Sequence, residues 1–219
     1  MNTSIEPKTG SLGDLFRRIS LGQLDETSPG WMLLVGPRSL NASMLAAIAR
    51  LGESGPLRVL DGGNRFNAYT VARAARGRQD ILDRITVARA FTCYQVLSLL
   101  EGTPAIQIPF VILDFLSTFY DESVQVGERK RLLRACTLHL ERLVRAAGGS
   151  STTHVVEAAD GGWSRGDASQ RPPRLVVSVH PPAVPSQAAV ELLGLLQAST
   201  REAYFIQPAA PAPEPLRLF

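Results

Sequence analysis

The sequence predicts a doubly wound α/β fold, in which a mostly parallel sheet is flanked by helices. Short apolar runs of strand length alternate with longer segments of helical periodicity between residues 31 and 206, the pattern of βαβ units. The chain has 219 residues, of which 45% are hydrophobic, enough to bury the core of one globular domain. We assign the core to residues 31–206, a polar N-terminal segment to residues 1–30, and a Pro- and Ala-rich tail to residues 207–219.

The predicted strands are apolar runs bounded by turn residues. In chain order they are Trp31–Gly36, Leu57–Asp61, Arg84–Ala88, Ile108–Phe115, Thr153–Glu157, Leu175–Val179 and Ala203–Ile206. The run Ile108–Phe115 is the most apolar, so we expect it at the centre of the sheet, where both faces are buried.

The predicted helices lie between these strands and have apolar residues at helical spacing. They span Ser39–Gly52, Ala68–Arg76, Cys93–Leu100, Glu128–Ala147 and Gln187–Ala198, with a short turn at Gln79–Leu82. We expect Ser39 or Asn41 to cap the first of them and Gly52 to end it. One further amphipathic turn in the N-terminal segment aligns Leu12, Leu15, Phe16 and Ile19.

Composition excludes several functional classes. Cys93 and Cys136 lie in apolar periodic segments, which predicts buried free thiols. With three histidines and no CxxC spacing, we expect no metal site. No apolar run reaches the length of a membrane span and the N-terminus is polar, so we expect a cytoplasmic protein without a membrane partner. The net charge of +3 does not by itself indicate nucleic-acid binding.

The first strand-to-helix turn is a degenerate phosphate-binding loop that reads GPRSLNAS over residues 36–43. Against the pattern GxxxxGK[ST], Gly36 and Ser43 match, Asn41 replaces the second glycine and Ala42 replaces the lysine. An alanine methyl cannot neutralise phosphate charge, and Arg38 is the one cation within the loop. Ser43 has an alternative role as a helix cap.

Three later segments add a family resemblance. They are LDGGNRFN at residues 60–67, DILDRITVARAFT at 80–92, and FVILD at 110–114, which Ser117, Phe119 and Tyr120 follow. With the loop, they resemble the RecA-like recombinase family, particularly its archaeal and eukaryotic branch and the paralogs of that branch, over about residues 30 to 157.

The resemblance implies a RecA-like, P-loop NTPase core with an altered catalytic centre. Asp114 stands at the position of the Mg²⁺-associated aspartate, whereas Gly63 stands where the family has its catalytic glutamate. Because Ala42 also replaces the lysine, we expect no ATPase activity and no cofactor. The alternative for Asp114 is structural, as a helix cap or as the ion-pair partner of Arg65 or Arg89.

The resemblance also implies two loops that contact DNA. The first falls at residues 121–128, which are acidic and ill-suited to phosphate. The second falls at residues 158–174 and carries Trp163, Arg165, Arg171 and Arg174, an aromatic among arginines as single-strand binding requires. The alternative is a solvated loop with Trp163 packed on the domain.

The predicted function is that of a non-catalytic recombinase paralog, an accessory factor in DNA recombination and repair. Its partners would be DNA, a RecA-like recombinase, or further copies of itself in an oligomer. Two alternatives stay open: a pseudo-ATPase that acts only as an interaction or structural protein, and a protein that still binds and slowly hydrolyses ATP.

Overall fold

The computed structural model describes residues 31–106, 108–147, 175–200 and 202–206. The amphipathic turn in residues 1–30, the strand predicted at 153–157, the loop at 158–174 and the tail at 207–219 lie outside these ranges.

Six parallel strands form one sheet. They are β1 (Met32–Val35), β2 (Leu57–Asp61), β3 (Ile85–Arg89), β4 (Phe110–Leu113), β5 (Leu175–Val179) and β6 (Glu202–Phe205), in the order β3-β2-β4-β5-β1-β6. Every neighbouring pair is parallel, so the sheet of the described residues is entirely rather than mostly parallel. The α/β class is confirmed, and β4 lies beside β5 at the centre, as its apolar sequence predicts.

Six α-helices and one 3₁₀ turn connect the strands. They are α1 (Leu40–Glu53), α2 (Ala68–Ala74), α3 (Gln79–Leu82), α4 (Cys93–Gly102), α5 (Val126–Ala147), α6 (Gln187–Ser199) and the 3₁₀ turn Ser117–Tyr120. Gly52 does not end α1, which continues to Glu53. It lies instead in a tight contact, since a Cβ there would lie 3.0 Å from Ile81 Cγ2.

The helices divide into two layers, one on each face of the sheet. Alternate strand side chains point to opposite faces, so Leu33, Ile112 and Val177 are buried with α4, α5 and α6. Leu34, Val111 and Val176 are buried with α1, α2 and α3. Each face of the sheet therefore has its own apolar core.

Both cysteines are buried in the first of these layers, as predicted. Burial raises the pKa of the Cys136 thiol to about 12, which keeps the group neutral and unreactive at physiological pH.

The chain path sends the connections of some neighbouring strands to opposite faces of the sheet. From β1 it crosses to β2 and β3 with α1–α3 on one face, and then returns through β4, β5 and β6 with α4–α6 on the other. The neighbours β1 and β5, and likewise β2 and β4, therefore send their connections to opposite faces. Such points are where open α/β sheets bind ligands.

None of the helices in the described ranges has the length and apolar character needed to cross a membrane.

Candidate functional site

The turn after β1 is compact and is held by backbone hydrogen bonds, one to β5 and two within the turn. Gly36 N–H donates to the Val179 carbonyl over 3.1 Å, and a Cβ on Gly36 would lie 3.1 Å from both Ile206 Cβ and Leu40 Cδ2. Leu40 N–H donates to the Pro37 carbonyl and Asn41 N–H donates to the Arg38 carbonyl. These two amides, at the start of α1, are therefore not free to bind a phosphate.

The second half of the predicted phosphate-binding loop, residues 40–43, lies inside α1. Because α1 begins at Leu40, Asn41, Ala42 and Ser43 belong to its first helical residues. Ser43 lies within the helix, so its predicted alternative role as a cap is wrong.

Of the two alternative caps predicted for α1, Asn41 is wrong because it lies inside the helix. Ser39 occupies the cap position, but its φ of −61° and ψ of −22° are helical and its side chain makes no capping bond. Capping requires an extended backbone at that position. Asn41 instead donates from Nδ2 to the Arg65 carbonyl over 3.0 Å, which ties α1 to the loop after β2.

Asp114 follows β4 directly and is 1% exposed. Its Oδ2 accepts from Arg65 Nε at 2.9 Å, and its Oδ1 accepts from the backbone N–H of His180 at 3.1 Å. Its own N–H donates to Ser178 Oγ at 3.0 Å. Asp114 thus joins the loops after β2 and β5, and Arg65 is the ion-pair partner of the two proposed from sequence.

Asp61, at the end of β2, is a second buried carboxylate that the sequence analysis did not select. It is 0% exposed and accepts from the backbone N–H groups of Arg65 and Phe66 at 2.7 and 2.9 Å. Arg89 donates to it from Nε at 3.0 Å. The sequence did contain a signal for this site. Asp61 is an acidic residue at the end of an apolar strand, and arginines follow both this predicted strand and the next one.

Gly63 packs directly against Asp114. A Cβ at this position would lie 2.5 Å from Asp114 Oδ2 and 2.6 Å from Asp114 Cβ. Asp114 has a φ of +48°, a conformation that L-residues rarely adopt. The carboxylate of Asp114 therefore fills the space that a side chain at position 63 would need.

His180 and Tyr120 complete the surroundings of Asp114, and the sequence analysis gave neither a site role. His180 Nδ1 lies 3.1 Å from the Gly36 carbonyl, which can only accept, so Nδ1 carries a proton. Within the described ranges, His180 Nε2 and the Tyr120 hydroxyl are buried and have no hydrogen-bond partner. Burial, and secondarily the charge of Asp114, raise the pKa of Tyr120.

These contacts do not fit a magnesium–nucleotide complex of the kind that the resemblance implies. Asp114 is already bonded to Arg65 and His180, the first amides of α1 are used within the turn, and Ala42 offers no charge. Elsewhere in the described ranges, no three His, Cys, Asp or Glu side chains gather to hold a metal.

The remaining predicted residues do not add to this arrangement. Arg38 is exposed in the turn after β1 and makes no ion pair with another described residue. Asp121 and Glu122 are exposed, and the acidic segment passes into α5 at Val126. Trp163, Arg165, Arg171 and Arg174 lie outside the described ranges.

The chain matches no protein-family model, and a search of curated proteins finds no significant match.

Proposed function

We propose that this protein is a non-catalytic RecA-like paralog, an accessory factor in DNA recombination and repair that binds DNA or a recombinase. In this proposal the nucleotide centre of a P-loop core has become a structural ion-pair network, and the chain acts through its surfaces.

One observation carries the proposal: Arg65 forms an ion pair with Asp114 where the resemblance implies a magnesium ion. The two are 2.9 Å apart, and Asp114 has 2% of its side-chain surface exposed against 26% for Arg65. A guanidinium is a permanent cation, so it supplies without nucleotide the positive charge that a buried carboxylate needs.

Two further features support the loss of catalysis. Gly63 leaves no room for the family's glutamate, because Asp114 occupies that space. The amides of Leu40 and Asn41, at the turn after β1, are used in hydrogen bonds within that turn. Phosphoryl transfer depends on positioned charges, and these three positions no longer supply them.

Calorimetry with Mg²⁺ and ATP tests the loss of the nucleotide site. We expect no binding heat at millimolar ATP with the full-length chain. The matched control is Arg65→Ala, which frees Asp114. If the wild-type chain binds ATP with micromolar affinity and Asp114→Asn abolishes that binding, the ion pair is not a replacement for nucleotide and the proposal fails.

The DNA part of the proposal needs a separate measurement. Fluorescence anisotropy with labelled single- and double-stranded oligonucleotides should show an affinity that falls steeply as salt rises, because phosphate contacts release counterions. A triple variant with Arg165, Arg171 and Arg174 changed to alanine tests the loop predicted from sequence. If neither DNA nor a purified RecA-like recombinase binds the chain, the accessory role is refuted.

A further inference from the structure

The most exposed aromatic side chains of the described residues lie on the segments that follow β2 and β3. Tyr69 is 75% exposed, Phe91 68% and Tyr94 50%. Every other aromatic side chain in the described ranges is buried or half-buried. We call Tyr69, Phe91 and Tyr94 the aromatic corner. Contiguous exposed apolar surface marks binding sites more often than single exposed side chains do.

The corner is held together by the loops after β2 and β3. Tyr69 lies in the first turn of α2, Phe91 lies just after β3, and Tyr94 lies in the first turn of α4. Arg89 joins the two loops, because its Nε donates to Asp61 at 3.0 Å and its Nη2 donates to the Phe66 carbonyl at 3.2 Å. The rings therefore project from neighbouring strand ends.

The backbone that carries the rings is fixed before any ligand arrives. Phe91 N–H donates to Gln95 Oε1 at 2.8 Å, and Thr92 caps α4 by accepting from Gln95 N–H at 3.2 Å. On the other loop, Asn67 caps α2 by accepting from Thr70 N–H at 2.9 Å. Preformed positions reduce the entropy lost on binding.

Tyr69, Phe91 and Tyr94 do not form aromatic pairs with one another. Among the described residues, the aromatic pair is Phe115 with Phe119, which lies in the core with its ring centroids 5.7 Å apart. The faces of Tyr69, Phe91 and Tyr94 therefore remain available to a flat ligand.

Two arginines, Arg73 and Arg89, lie on the same two chain segments as Tyr69 and Phe91. Arg73 follows Tyr69 by four residues on α2, so both lie on the same helical face. Arg73 is exposed and makes no ion pair with another described residue. The side chain of Arg89 is 35% exposed, while the Asp61 that it neutralises is buried. On the other side of the corner, Arg131 is bound to Glu128.

We infer that the aromatic corner binds single-stranded nucleic acid, with bases stacked on Tyr69 and Phe91 and a phosphate beside Arg73. Ring faces interleaved with arginines are what sequence-independent single-strand binding requires. The inference rests on the proposed function, because it takes nucleic acid as the ligand. It assigns the contact to residues other than the loop at 158–174.

The test is fluorescence anisotropy with a labelled oligothymidylate of about 16 nucleotides, the upper end of known single-strand site sizes. Loss of one stacked ring, in Tyr69→Ala or Phe91→Ala, should raise the Kd by about 5-fold to 150-fold. Tyr69→Phe and Phe91→Tyr keep a ring and should stay within about twofold of wild type.

Two further variants separate stacking from general effects. Leu138→Ala removes a 65% exposed apolar side chain from α5 and should leave the Kd unchanged. Arg73→Ala should lower the slope of log affinity against log salt by about 0.7, the value for one phosphate contact on a single strand.

Three results would overturn the inference. Wild-type affinity in both ring-to-alanine variants, with binding lost in the Arg165, Arg171 and Arg174 variant, would refute the corner while leaving the proposed function in place. No oligothymidylate binding by the wild-type chain at low salt would refute the corner directly. If the ring variants bound oligothymidylate normally but lost a purified recombinase, the corner would be a protein interface.

Discussion

The carboxyl edge of the sheet has two halves with opposite character. Around Asp114, the polar groups bond mainly to one another, and Arg65, the His180 backbone and the Ser178 hydroxyl satisfy the aspartate. At the aromatic corner, one strand away from β4, side chains project into solvent and Arg73 has no ion-pair partner among the described residues. The two halves meet at the loop after β2, which carries both Arg65 and Phe66.

The contrast indicates that the Asp114 half of the edge stabilises the fold, whereas the aromatic corner is available for binding. Buried charged groups that are paired with one another hold the loops together. The same groups are not available to bind a ligand, because their hydrogen bonds and ion pairs are already formed. Exposed rings add little to folding, since water still surrounds them, and they keep their apolar area for a partner. We therefore expect substitutions in the Asp114 half to alter unfolding and those at the corner to alter binding.

Asp61→Ala should have the largest effect on stability, because Asp61 joins the two halves. The change would leave the N–H groups of Arg65 and Phe66 and the guanidinium of Arg89 without their acceptor. Removing one partner of a buried charged network costs about 3–5 kcal/mol. We expect a cost of about 3 kcal/mol, at the lower end of this range, because Arg89 is partly exposed and can be rehydrated.

Urea unfolding followed by circular dichroism measures this loss for Asp61→Ala. Asp83→Ala is the control, since Asp83 is exposed and its loss should change stability by less than about 0.5 kcal/mol. Equal stability of the two variants would show that the Asp61 network does not hold the edge together.

Gly63→Ala should cost about 1–3 kcal/mol, the usual range for overpacking a filled site. The new methyl would lie 2.5 Å from Asp114 Oδ2 and 2.6 Å from Asp114 Cβ. The same change in an Asp114→Gly background should cost much less, because the conflicting atoms are gone and glycine accepts a φ of +48°. A double-mutant cycle by urea unfolding measures the coupling. Additive costs would contradict direct packing of position 63 against Asp114.

Most of the architecture could be predicted from the sequence, because buried parallel strands leave a local signal. The runs 57–61 and 175–179 were predicted with the bounds of β2 and β5, since each is an apolar stretch of strand length. The start of α1 was misjudged by one residue. Ser39 resembles a cap by residue type, but the backbone angles that make a cap are not visible in the sequence.

The candidate site was harder to predict, because it depends on pairs far apart in the chain. Arg65 and Asp114 are separated by 49 residues, and Asp114 and the His180 N–H by 66. Two arginines were equally suitable partners for Asp114, and only the strand order decides between them. The aromatic corner was missed for the same reason, since exposure of Phe91 depends on β3 lying at the edge of the sheet.

At neutral pH, Tyr120→Phe should change the free energy of unfolding by between zero and a gain of about 1 kcal/mol. The reason is that it removes a buried hydroxyl that has no hydrogen-bond partner among the described residues. The pKa of Tyr120 is raised, so its neutral form is favoured in the folded state. The free energy of unfolding is therefore unaffected by Tyr120 ionisation below the ordinary tyrosine pKa of about 10. It falls as the pH rises above that value, because the unfolded chain then ionises more readily than the folded one.

Urea unfolding at about pH 7 and about pH 11 measures this difference. Wild type should lose more stability than Tyr120→Phe between the two pH values, whereas the buried thiol of Cys136, whose pKa is also raised, affects both chains alike. An identical loss of stability in the two chains at alkaline pH would show that the Tyr120 hydroxyl is not buried in the Asp114 half of the edge.

The smallest effect on stability should come from the aromatic corner. Tyr69→Ala and Phe91→Ala remove rings that are 75% and 68% exposed, so each should change the free energy of unfolding by no more than about 0.5 kcal/mol. Thermal and urea unfolding of both variants measures this directly. A loss of about 2 kcal/mol or more would mean that the rings are part of the folded core. The contrast between a half that stabilises the fold and a half that binds would then disappear, because both halves would serve the fold.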